Sequence, residues 1–132
     1  MGVVRTGIYS YHTTNNSSAL YKAIGTRLYY VEAPEKPIYP YCVFHIFDEM
    51  YEFTFDLKFE NISIQFNYFD ITAAACDTGI DAIKTLYDYC IISIVGYTSL
   101  RMEREMVLPS WKIEPDNIWS GAVRYNLLIQ DT

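Results

Sequence analysis

Two histidines, three cysteines and a scatter of carboxylates are the side chains with which this 132-residue chain could do chemistry. A nucleophile and base pair would have to use His12 or His45. Cys42 stands three residues before His45 in an apolar run, which in a strand puts thiol and imidazole on opposite faces, unable to act together without distortion. A strand histidine satisfied by its neighbours is the plainer reading of His45. Asp48 and Glu49 could offer oxygens to a hard cation, but no spaced acidic loop supplies the further ligands such an ion needs. Asp77, Asp81 and Asp88 recur at spacings of four and seven with Lys84 between the last two, the pattern of a solvated, partly paired helix face rather than of general acid–base work. The six glycines are isolated and form no phosphate-binding loop. A non-enzymatic protein without catalytic, cofactor or metal residues is expected. The competing reading is a small intracellular α+β enzyme or ligand-binding domain whose pocket uses His45, Asp48 and some of the tyrosines.

The elements that would carry these residues are legible in part. Residues 19–24 have Leu20, Ala23 and Ile24 at helical spacing after a capping-rich stretch and stop at Gly25, a natural C-terminal cap. An apolar stripe through Ile8, Tyr9 and Tyr11 could extend that helix backwards, but Asn15 and Asn16 argue for a break. Residues 27–31 read as a brief strand, followed by an extended connector in which Pro34, Pro37 and Pro40 forbid regular pairing. Residues 41–47 read as a central strand covered on both faces, broken by Asp48, Glu49 and Met50. Beyond it, Phe53, Phe55, Leu57 and Phe59 occupy odd positions, whereas Ile62, Ile64, Phe66 and Tyr68 occupy even ones. That change of phase predicts a bulge or turn near Glu60 and Asn61.

Asp70 or Thr72 caps a long helix to about Tyr89, with Cys76, Ile80, Ile83, Tyr87 and Cys90 or Ile91 on one stripe. Gly79 weakens its first half and makes a bend there unsurprising. Three β-type segments follow, at 97–102, 105–113 and 122–130, separated by Pro109 and a turn at 114–117. Grouped helices and strands predict an α+β fold, a mainly antiparallel sheet packed by about two helices. At 132 residues one domain is expected over 1–132, with 1–17 a flexible or partly helical segment.

Composition narrows the function. The charge of −6 disfavours sequence-independent binding to duplex DNA, and its acids are too scattered for an anchoring tail. Three cysteines without a CxxC point to a reducing compartment. The first ten residues lack the order of a signal peptide and no apolar run matches a bilayer's thickness, so a soluble protein made in the cytoplasm, with no membrane partner, is expected. Thirteen tyrosines, seven phenylalanines and two tryptophans exceed what a small core can hold. Tyr29, Tyr30, Tyr39, Tyr51, Tyr97, Tyr125, Trp111 and Trp119 cannot all be buried, and some should meet another chain.

A helix ending at Gly25, a strand with Arg27, Leu28 and Tyr29, a turn with Ala33, Pro34 and Glu35, and the Tyr39, Pro40, Tyr41 run to Phe44 form a recognisable series. Over about residues 18–130 the order of segments resembles the tail terminator, or tail completion, proteins of long-tailed bacteriophages and prophages. The resemblance implies a structural protein that stops tail-tube growth as a homohexameric ring. It also implies partners: further copies of itself, the tail tube protein, and the head connector or a head-closure protein. DNA would pass only non-specifically through the lumen, and the location would be the tail or neck of the virion after assembly in the host cytoplasm. Six copies at −6 each would surround that path with about −36 before screening. Residues 48–56 are the expected protruding hairpin that contacts a neighbour or the tube. Asp48, Glu49, Tyr51, Phe53 and Phe55, with Trp111 and Trp119, are the candidate interface residues.

Overall fold

The computed structural model describes residues 2–54, 57–114 and 116–131, and for 48–54 and 57 it describes the backbone alone. Among the described residues the order is α1 (Gly2–Thr14), α2 (Ala19–Ile24), β1 (Leu28–Tyr30), β2 (Tyr41–Thr54), β3 (Leu57–Asp70), α3 (Ala73–Tyr87), β4 (Tyr97–Ile113) and β5 (Ile118–Asp131). The strands form one sheet in the order β1-β2-β3-β5-β4, parallel between β1 and β2 and antiparallel elsewhere. The fold is α+β, a single domain with a mainly antiparallel sheet covered by three helices.

Local chemistry accounts for the helix ends. The Ser18 hydroxyl accepts from the Tyr21 amide at 3.1 Å and starts α2, and Gly25, at φ 58°, closes it. The Thr72 hydroxyl does the same for Ala75 at the start of α3. The stripe through Ile8 belongs to a separate helix, α1, parted from α2 at Asn15 and Asn16, and it buries Val4, Ile8 and His12. α3 ends at Tyr87, short of the expected Tyr89, and beyond it Cys90 is buried while Ile91 faces solvent. The helix runs unbroken through Gly79, where the Tyr68 ring of β3 occupies the space a side chain would need.

Three strand expectations are corrected. The break at residues 48–50 is a bulge: the β2–β3 register shifts between Ile46 and Asp48, leaving Phe47 as the extra residue, and pairing then continues to Thr54 opposite Leu57. No bulge occurs near Glu60 and Asn61. β3 pairs without a shift along that stretch, and its buried face runs from Glu60 through Ile62, Ile64, Phe66 and Tyr68. The change of phase in the sequence arises because Phe53 belongs to β2 and Phe59 to the other face of β3. Finally, residues 97–113 form one strand, not two. Pro109 sits where the β4–β5 register shifts between Leu108 and Trp111, on an edge strand whose outer side needs no proline N–H.

Over Cys42–Phe44 β2 is an interior strand between β1 and β3, as expected, and β3 holds the middle position of the sheet. Both faces of β2 are covered from Tyr41 to Phe44, where Tyr41 stacks on Phe69 at 4.8 Å and meets Tyr39 at 5.3 Å on the face away from the helices. Phe47, expected in the core, is 45% exposed.

Candidate functional site

The residues with reactive side chains are dispersed by the fold. Burial pushes all three thiols upward: Cys42 strongly, Cys76 to about 11 with help from Asp77 and Asp70, and Cys90 to about 12. They are free and buried, and at neutral pH none is a thiolate nucleophile. Cys42 lies in the core beneath the helices, while His45 sits on the open sheet face, edge-on to Phe47 at 4.5 Å. An open cleft of about 230 Å³ beside His45 also holds Glu32, Asn67, Tyr41 and Phe69. Asp48, the proposed companion of His45, follows the bulge, and its side chain lies outside the described residues.

The carboxylates of α3 have separate structural duties. Lys84 pairs with Asp81 at 3.5 Å on the surface, and the Ser110 hydroxyl donates to Asp77 at 2.6 Å. Asp88 turns away from Lys84, accepting from the buried Tyr125 hydroxyl at 2.7 Å and facing Arg104 at 3.5 Å. Among the described residues no group of three or more histidines, cysteines or carboxylates converges as a metal site.

His12 has a different surrounding. Its ring is fully buried between α1 and α2, where Nε2 donates to the Gly25 carbonyl at 2.6 Å and Nδ1 has no partner among the described residues. Burial lowers its proton affinity, opposed by the Gly25 hydrogen bond, and burial together with Arg124 lowers that of His45. Between each depressed value and the ordinary one near 6.5, the unfolded chain binds more protons than the folded one. Stability is therefore complete above the ordinary value and falls as the pH drops through this window. The urea midpoint should decline from pH 7 to pH 5, and His12→Gln should flatten part of the decline. A variant with the wild-type slope would contradict a buried neutral ring.

What remains is surface. β2 and β3 overrun the last β3–β5 pair, Phe59 with Gln130, by only two residues on β3, and Tyr51 and Phe53 pair along the backbone with Glu60 and Lys58. Asp48, Glu49, Tyr51 and Phe53 are thus placed by their backbone in β2, and Phe55 lies outside the described residues. Trp111 is half exposed on β4, opposite Ser120, whereas Trp119 is partly buried and packs against the core. The fold brings neither tryptophan beside the β2–β3 hairpin in the register: they pair at the opposite end of β5 from Gln130.

Tyr125, counted among the surplus aromatics, is fully buried. It meets Phe66 edge-on at 5.9 Å and Tyr87 at 6.4 Å. Sequence reasoning missed two surface features. Ile91 and Val95, 74% and 82% exposed, alternate with buried Ile92 and Ile94 after α3, an alternation visible in the sequence. Arg5 of α1 lies 5.1 Å over the Tyr30 ring at the mouth of a second cleft.

The class that emerges is a two-layer α+β domain, one five-stranded sheet with helices on one face. A chain from the virion of a native gene transfer agent particle has the same fold, with a TM-score of 0.72 over 96% of this chain and 97% of that one, at 10% sequence identity. No protein-family model matches the sequence, and no curated protein does.

Proposed function

We propose that this chain is a structural subunit of a phage-like virion, and within it the tail terminator that caps the tail tube and joins it to the head. The observation that carries this reading is the end-to-end likeness of its fold to a virion chain of a gene transfer agent particle. The segment order shared with tail terminator proteins supplies the specific role. In this reading the subunit forms a homohexameric ring in the neck of the particle, with the tail tube protein on one side and the connector or head-closure protein on the other. DNA crosses the lumen without sequence-specific contact, and the net charge of −6 per copy suits that passage. Asp48, Glu49, Tyr51, Phe53 and Phe55 with Trp111 and Trp119 supply contact surface, and a ring of identical subunits uses two different patches on each.

Native mass spectrometry of the full chain, alone and with the tail tube protein and the head connector protein, tests the ring. A species of six times the 15.4 kDa chain mass is expected. A strict monomer at every concentration and with both partners present would rule it out.

A further inference from the structure

Past α3 the chain runs beside α1 with its side chains alternating in burial. Ile92 and Ile94 enter the core, while Ile91, Ser93 and Val95 form an exposed ridge. Gly7 sets how closely α1 and this ridge lie: a Cβ there would stand 3.0 Å from the Ser93 carbonyl oxygen and 3.1 Å from the Ile94 side chain. On either side of that close approach the two surfaces part and leave a cleft. One, of about 320 Å³, lies between Val95 and the start of α1 at Val3 and Thr6. The other, of about 180 Å³, lies between Ile91 and the end of α1 at Tyr11 and Thr14.

No charged side chain lines either cleft, residues 89–100 contain none, and α1 has no Asp or Glu. In a chain of net charge −6, copies repel one another, and they can touch with least opposition where neither brings a carboxylate. The shape also points to a second copy as the occupant. Two projecting side chains stand beside two clefts, Ile91 next to one and Val95 next to the other, so projections and clefts share one spacing. A ridge laid alongside in the same direction places its Ile91 and Val95 in the clefts of the first copy, and its own clefts receive theirs. From their exposures, Ile91, Val95 and Val3 present roughly 350 Å², so a contact made twice buries about 700 Å² before the groove walls are added, the size of a weak association.

We propose that the groove between α1 and residues 91–95 is a two-fold contact between copies of this chain, each ridge seated in the groove of the other. Ile91 of one copy enters the cleft bounded by Tyr11 and Thr14 of its partner, Val95 enters the one bounded by Val3 and Thr6, and the two Ser93 residues lie side by side near the axis. Such a contact closes on itself after two copies, so it pairs subunits and is distinct from the head-to-tail contact that a ring requires.

Cross-linking and sedimentation of the full chain test this contact. Ser93→Cys should give a covalent dimer under mild oxidation, because the three native cysteines are buried and a two-fold axis brings the new thiol to its own copy. Thr78→Cys, exposed on α3, should give far less. Ile91→Asp, which changes a side chain already in solvent, should leave the urea midpoint in place and weaken self-association by at least about tenfold, since the contact would bury an unpaired carboxylate twice. Equal cross-linking of Ser93→Cys and Thr78→Cys, or wild-type association of Ile91→Asp, would overturn the contact. Hexamers that form unchanged with Ile91→Asp would overturn it and leave the ring reading standing, whereas Ser93-linked pairs without hexamers would support it and count against the ring. A wild-type chain that is monomeric at every concentration would overturn it as well.

Discussion

Phe66→Ala should cost about 3–5 kcal/mol of folding stability. The ring is fully buried at the centre of the sheet, stacked on Tyr87 at 4.4 Å, edge-on to Tyr125 at 5.9 Å and 5.8 Å from Phe44. Its removal leaves a cavity bounded by three aromatic rings, whose rigid shapes collapse poorly into empty space. Since a domain of ordinary stability has about 5–15 kcal/mol in total, the variant should be only marginally folded at 25 °C. Urea unfolding followed by circular dichroism measures the loss. A cost near 1 kcal/mol would mean that these aromatics do not form one packed cluster.

Gly79→Ala should destabilise the chain by about 2–3 kcal/mol, although alanine is by about 1 kcal/mol the better helix former. A Cβ at position 79 would overlap the Tyr68 ring, which is 2% exposed and has little freedom to retreat. The overlap involves the body of the ring rather than a flexible tip, so either α3 moves off the sheet or the ring leaves its place in the core. The Tyr68→Leu background should recover part of the loss, because the smaller side chain vacates the space. A neutral or stabilising Gly79→Ala would show that α3 does not lie so closely on β3.

These two residues also mark how far the sequence could be read. The stripe on α3, the capping of α2 and the alternation from Ile62 to Tyr68 are local patterns with a fixed period, and each appears in the fold where its period places it. Gly79 was ambiguous because a glycine in a helix is unfavourable on its own terms. Its reason is a tyrosine eleven positions earlier, on another element. The same limit explains the bulge. The change of phase between Phe53 and Ile62 is real, yet phase alone does not distinguish a bulge within one strand from a hairpin between two.

The number of aromatic residues does not reveal their stacking. Tyr125 and Tyr87 enter the core because their hydroxyls find Asp88 and the Ile8 carbonyl, at 2.7 and 3.4 Å, contacts formed across 37 and 79 positions. Less aromatic surface is therefore left for partners than the count suggests. What is left includes the exposed Trp111 and Phe47. The Arg5 cleft was illegible for a related reason: its floor joins Leu28 and Phe44 through the parallel pairing of β1 with β2. The absence of acids before Glu32 was the part visible in the sequence.

Electron microscopy of particles assembled without this chain tests its role as a tail terminator most directly. Tubes of uncontrolled, excessive length detached from filled heads are expected. Tails of normal length joined to heads would contradict it.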